Sequence, residues 1–260
     1  MHDRAVQAAT AAPPEAAPLT PADAARRRFL PGERICPGLL AFEPLGGDDR
    51  IERWLAWSQE LWARVVVELP RDEHADDLRI VRRLAREART LRRLSHPSIP
   101  RLLDDRHDQP VPHLVLEHAD GHTLDQVLAT GPVPPAEVAR LGVRLAACLR
   151  YVHGRGLADV GLELRGVAVR CGEPLLLHAS SARELRQTDP RRDLVALGVL
   201  LHELLAGGAR VPPAVDTALD ALRGRRPVTD QDAIQLLMSA LPPDEAPAWP
   251  PFAESLAQAV

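Results

Sequence analysis

The spacing of apolar residues changes period near residue 76, and that switch limits the folds open to this chain more than any other feature. Between residues 33 and 68, the short apolar runs GLLAFEPL, RWLAW and ARVVVEL alternate with polar breaks at Gly46-Gly47 and across 57–62. Runs of this length and period predict three strands of an antiparallel sheet. From Asp76 to Leu94 the recurrence becomes helical, with Leu78, Val81, Leu84, Ala88 and Leu91 on one face and a dense Arg set on the other. SHPSIPRLLDD then reads as a turn and a strand, and PHLVLEHADGHTL as a buried strand entering a connector at 117–123. Helical spacing dominates beyond it, over 123–130, 134–153, 191–206, 214–223, 229–240 and 251–259, with Pro134-Pro135 suited to a first helical turn. Two short strands, 167–170 and 174–177, flank Gly172. The expected class is α+β: an Ala/Pro-rich disordered tail at 1–32, a β-rich lobe at 33–117 and a mostly helical lobe at 118–260.

A chain of 260 residues can bury two such lobes around a shared core. Its 32 basic residues are outnumbered by 36 acidic ones, for a net charge of −4, which argues against nucleic acid as a partner. The first 28 residues lack the apolar core of a signal peptide. The longest apolar run, from Leu194, is broken by His202 and Glu203 and is too short to span a bilayer, so it reads as a core helix and no membrane partner is expected. Cys36, Cys148 and Cys171 are widely spaced and form no C-x-x-C pair, which suits a reducing, cytoplasmic setting. His113, His118 and His122 are close in sequence, but no Cys joins them and Gly121 interrupts any helix, so they read as loop histidines rather than metal ligands. The Arg residues of RIVRRLAREARTLRR read as the solvated side of the helix.

All 32 of the Lys+Arg residues are Arg, and the chain contains no Asn either. Bias towards Ala, Arg and Pro accounts for this at surface positions, but it cannot replace a Lys or Asn that a reaction requires.

Several stretches resemble the protein kinase fold over roughly residues 37–240. LAREARTLRRLSHPSIPRLLD is similar to the kinase regulatory helix with its Glu, here Glu87, and the following His-Pro turn, His96-Pro97. PHLVLEHADGHTLDQVL resembles the last small-lobe strand and the hinge, with Leu116 guarding the pocket and Glu117–Ala119 as hinge. LRYVHGRGL resembles the approach to the catalytic loop, and RRDLVALGVLLHELLAGG the central large-lobe helix with its buried Asp, Asp193. The texture is similar to bacterial Ser/Thr kinases.

The working parts of such a kinase are a glycine loop over the phosphates, a strand Lys, a catalytic Asp and metal ligands. In LGGDDRIERWLA only Gly46 matches the loop, with Asp48 and Ile51 where glycines belong and Asp48-Asp49 placed to repel a triphosphate. Val66 narrows the adenine pocket and Glu68 occupies the Lys position. Counting without gaps puts Asp159 at the catalytic His, Gly161 at the catalytic Asp, Glu163 at its Lys and Gly166 at the metal-binding Asn. A shifted register makes Asp159 the catalytic Asp but leaves Gly161 and Leu164 in the Lys and Asn places. His178-Ala179-Ser180 replace the metal-binding Asp-Phe-Gly, and imidazole is a poor ligand for magnesium. Only fifteen positions separate His178 from Asp193, so the activation segment is shortened and the peptide platform is missing.

Glu68 and Glu87 stand where the family has a Lys–Glu bridge, and two carboxylates about 4 Å apart repel by roughly 1 to 4 kcal/mol. The helix then swings outward, an Arg comes between them, or Glu68 turns to solvent. The resemblance therefore implies a kinase-like domain without phosphotransfer, acting on a protein partner as a scaffold or regulator, with no cofactor, ATP held weakly or not at all, and no magnesium. The alternative is a divergent Ser/Thr kinase with residual activity.

Overall fold

The computed structural model describes residues 28–118, 120–205, 213–224 and 228–239. Most of the expected tail, the hinge residue Ala119 and the helix expected at 251–259 lie outside the described residues.

The small lobe is a six-stranded antiparallel sheet, one strand more than the five expected. Its strands are β1 (Arg34–Cys36), β2 (Leu39–Gly47), β3 (Ile51–Ser58), β4 (Ala63–Pro70), β5 (Leu102–Arg106) and β6 (His113–Glu117), in the order β1-β2-β3-β4-β6-β5. Period two decides what each face meets. Val65, Val67 and Leu69 of β4 join Trp54 and Ala56 of β3 in a buried cluster, which sends Val66 and Glu68 to the opposite face. Phe29 belongs to that cluster and packs edge-on against Trp54 at 5.3 Å, while Arg28 pairs with Glu52 and Asp72. Arg28, Phe29 and Gly32, whose amide donates to the Ala41 carbonyl at 2.7 Å, are therefore held against the sheet, within the stretch expected as a disordered tail.

Helix α1 (Leu78–Arg92) starts at Asp77, whose side chain accepts a bond from the Arg79 amide. It buries Ile80, Leu84, Glu87, Ala88 and Leu91. Leu78, expected on that face, is 67% exposed, because the stripe running back from Leu84 passes through Ile80 instead.

A two-residue strand, β7 (His122–Thr123), leads into α2 (Leu124–Thr130) and α3 (Pro135–Gly154). Then come β8 (Leu157–Ala158), β9 (Val167–Arg170), β10 (Glu173–Leu176), β11 (Arg183–Glu184), α4 (Arg191–Leu205), α5 (Pro213–Arg223) and α6 (Asp230–Ser239). A second core cluster joins α1 and β6 to α3, α4, α5 and α6. Gly142 of α3 faces α4, where a Cβ would lie 2.7 Å from Leu201 Cδ1. The lobes are also stitched by the backbone: the Leu176 amide donates to the Ser98 carbonyl at 2.7 Å, and the Ser95 amide to the Tyr151 hydroxyl at 2.7 Å.

Candidate functional site

A cavity of about 660 Å³ lies between the lobes, walled by Leu45, Leu55, Val66, Leu116, Ala168 and Leu177. Val66 and Leu116 are direct cross-strand partners, so both reach it from adjacent strands. Glu117 reaches its edge, but its amide is committed to the Arg101 carbonyl at 2.8 Å and its carboxylate to Arg101 Nε at 3.0 Å. Of the positions that the resemblance sets in catalytic places and that were expected to carry no catalysis, only His178 lines this space. Asp159, Gly161, Glu163 and Gly166 do not.

The turn after β2 is built by Asp48. Its Oδ1 accepts the amides of Arg50 and Ile51 at 2.8 and 2.7 Å, and its Oδ2 meets Arg83 at 2.6 Å. Burial pushes the Asp48 carboxyl up, but these bonds outweigh it and hold the group below the usual carboxylate range. Asp48 is thus a structural tie from the loop to α1, not a free charge aimed at the cavity as expected. Gly46 has φ +99 and open space around it; Gly47 has φ +137, and a Cβ there would strike the Ile51 carbonyl at 2.2 Å.

Glu68 is 0% exposed, so it has not turned to solvent. Its Oε1 pairs with Nε of Arg53, the residue directly across the β3–β4 ladder. Arg53 Nη1 continues to His178 Nε2 at 3.0 Å, and His178 Nδ1 lies 3.6 Å from Glu163 Oε1. Burial, followed by the Arg53 charge, pushes the His178 pKa down, so the ring is neutral near pH 7 and its Nε2 accepts from Arg53. Glu87 has its own guanidinium, Arg83 Nε at 2.9 Å one turn earlier on α1. The outcome is Arg pairing, with a separate Arg for each carboxylate. Both second oxygens, Glu68 Oε2 and Glu87 Oε2, are buried without a hydrogen-bond partner among the described residues.

Burial and then the Glu68 charge push Glu87 up to about 7, against the pull of Arg83. The folded state keeps a proton that the unfolded chain releases near pH 4.5, so the stability that proton contributes is complete below pH 4.5 and is lost as pH rises through 7. At about 1.4 kcal/mol per unit this amounts to roughly 3 kcal/mol. Glu87→Gln is therefore expected to match the parent at pH 4.5 and to exceed it by about 2 to 3 kcal/mol above pH 8 in urea unfolding. A variant no more stable than the parent at pH 8 would contradict this.

The large-lobe loop is pinned by Asp193, which accepts the Asp159 amide at 2.8 Å, the Val160 amide at 3.0 Å and His153 Nε2 at 2.9 Å. His153 Nδ1 reaches Asp230 at 2.8 Å. Asp159 has φ +64, and its carboxylate lies 3.7 Å from Arg183. Gly161 has φ +67, beside Asp159 in the same left-handed region. A Cβ on Gly166 would sit 3.2 Å from both the Gly161 carbonyl oxygen and His178 Nδ1.

His113, His118 and His122 do not converge. His113 Nδ1 bonds the Val111 carbonyl, His118 sits beside Asp120 at 3.2 Å, and His122 lies in β7. Arg53, Arg83, His153 and Asp230 were missed by the sequence reading, although pairing across the β3–β4 hairpin and the four-residue spacing from Glu87 point to the first two.

No family model matches the chain. Serine/threonine-protein kinase PrkC of Bacillus subtilis is 24% identical over 230 residues, which is 76% of this chain and 35% of PrkC. Serine/threonine-protein kinase pkn2 of Myxococcus xanthus is 31% identical over 184 residues, 68% of this chain and 22% of pkn2. Serine/threonine-protein kinase PknL of Mycobacterium tuberculosis is 27% identical over 244 residues, 83% of this chain and 58% of PknL. The chain thus spans well under two thirds of the length of each. Among solved structures, the Mycobacterium tuberculosis PknI kinase domain superposes with a TM-score of 0.61 at 21% identity, over 82% of this chain and 98% of that domain.

Proposed function

Since the chain belongs to the protein kinase superfamily, with bacterial serine/threonine kinases as relatives, its function turns on which parts of phosphotransfer it retains, and we propose that it retains none. On this reading it is a pseudokinase, a kinase-like domain that acts on a protein partner as a scaffold or regulator. The observation that carries the reading is the buried Glu68, paired with Arg53, in the place where the family has its phosphate-binding Lys. Phosphoryl transfer depends on positioning and on neutralising phosphate charge, and an acid with an orphaned oxygen does the reverse.

Magnesium and ATP, which the family implies, do not fit this donor set. His178 offers a neutral nitrogen already bonded to Arg53, and Gly161 and Gly166 offer no side chain. Magnesium requires oxygen ligands. The apolar slot between Leu55, Val66 and Leu116 remains compatible with a flat ring held without metal.

Purified protein given radiolabelled ATP with magnesium or manganese is expected to incorporate no more phosphate than a heat-denatured control, and millimolar magnesium–ATP should leave its melting temperature unchanged. A ligand at about a hundred times its Kd would add about 2.7 kcal/mol. Incorporation above the control that Asp159→Ala abolishes would establish the residual-kinase alternative instead. A metal-dependent thermal shift without incorporation would keep the loss of catalysis but make the domain a nucleotide-responsive one.

A further inference from the structure

His113 and Val115 of β6 alternate with Leu114 and Leu116, and so face the side of the sheet opposite the interlobe cavity. A second cavity of about 680 Å³ opens on that side and shares no lining residue with the first. Its size is that of a small-molecule site, about 300–1,000 Å³. The end of β1, the end of β3, β5 and the turn before β6 wall it, and Leu61 and Leu103 are exposed around it.

Cys36 and His113 lie in this wall, 7% and 6% exposed, with Sγ and Nε2 3.6 Å apart. His113 Nδ1 is 2.7 Å from the Val111 carbonyl oxygen, which can only accept. Nδ1 therefore carries the ring hydrogen, and the lone pair of Nε2 faces the thiol. This is the arrangement of a nucleophile held against its base. Arg106, paired with Asp104 at 2.6 Å and half-exposed, brings a positive charge to the same wall. Burial pushes the Cys36 thiol up while Arg106 pulls it down, so the sulfur keeps its proton at rest and needs a base to react. The other two cysteines differ: Cys148 is wholly buried and pushed up to about 12, and Cys171 is exposed in the β9–β10 turn.

We propose that this cavity is a thiol-modification site in which Cys36 exchanges with a low-molecular-weight disulfide bearing a carboxylate, with His113 as base and Arg106 as partner of the carboxylate. The Cys36 proton passes to His113 Nε2 as the sulfur attacks one sulfur of the disulfide. The new S–S bond forms as the old one breaks, and the departing thiolate takes the proton from Nε2 and leaves as a thiol. Cys36 is oxidised to the mixed disulfide, and the small disulfide supplies the oxidising equivalent, half of it leaving reduced.

The test follows all three cysteines of the full chain by peptide mass analysis, with oxidised glutathione as probe and 2-hydroxyethyl disulfide as the carboxylate-free control. Cys36 and Cys171 are expected to be modified and Cys148 spared. His113→Asn, whose amide can keep the bond to Val111, should slow Cys36 at least tenfold and leave Cys171 unchanged. Arg106→Ala should reduce the preference of Cys36 for glutathione over the control about threefold. The proposal is overturned if Cys36 reacts no faster than Cys148, or if His113→Asn leaves its rate intact. Should Cys148 become reactive in that variant, the fold has opened, and the solvent deuterium effect on the unmutated protein decides: a Cys36 rate slowed by heavy water no more than that of Cys171 refutes the role of His113 as the base.

Discussion

Asp193→Ala is expected to cost about 3 to 5 kcal/mol, because it leaves a buried cation and two amides without their acceptor. The cation is His153. Burial pulls its pKa down, but the bonds to Asp193 and Asp230 outweigh that and raise it to about 9. A raised pKa means that the folded state holds the proton longer than the unfolded chain. The stability from this cluster is thus complete below pH 6.5 and is lost as pH rises through 9. About 1.4 kcal/mol per unit makes it roughly 3 kcal/mol. The parent should therefore weaken between pH 6.5 and 9, and Asp193→Ala should start lower and show a flatter slope there. In thermal melting at pH 7 the drop is expected to be on the order of 10 °C. A loss below 1 kcal/mol would mean that the loop holds its shape without this anchor.

Arg53→Ala is expected to be as damaging, through a different error. It leaves the Glu68 carboxyl fully buried and without an ion-pair partner, since among the described residues its second oxygen has no hydrogen bond either. Removing one member of a buried pair costs about 3 to 5 kcal/mol, whereas replacing both with apolar groups is close to neutral. Arg53→Ala combined with Glu68→Leu should therefore lie within about 1.5 kcal/mol of the parent. Urea unfolding of the two single variants and the double variant measures the coupling directly. Near-additive losses would show that Arg53 acts through its packing or through His178 rather than through Glu68.

Where the apolar spacing was long and regular, the fold could be read from it. The strands at 39–47, 51–58 and 63–70 and the helix at 78–92 follow period directly. Strand β1 has only three residues and shows no period, and the buried stripe of α1 runs back from Leu84 through Ile80 rather than Leu78. That the chain offers no Lys and no Asn was also legible, since composition needs no geometry. The partners of Glu68 and Glu87 were harder to see, because they came from outside the positions being compared. The hairpin that sets Ser58 opposite Ala63 necessarily sets Arg53 opposite Glu68, so register, which a residue-by-residue comparison ignores, held the answer. His153 and Asp230 lie 77 positions apart, and no local pattern joins them.

Arg53 sits on the sheet, and His178 comes after β10, on the far side of the cavity. Their contact at 3.0 Å works as a bolt between the two walls of the cavity, and Arg83 secures the β2–β3 tip to the helix behind it. An enzyme that admits one nucleotide and expels another must swing its halves apart in every cycle, and a bolt of this kind would throttle its turnover. A domain whose role is to present a fixed outline to another protein gains from the same bolt, because a surface that does not breathe loses less conformational freedom when it is gripped.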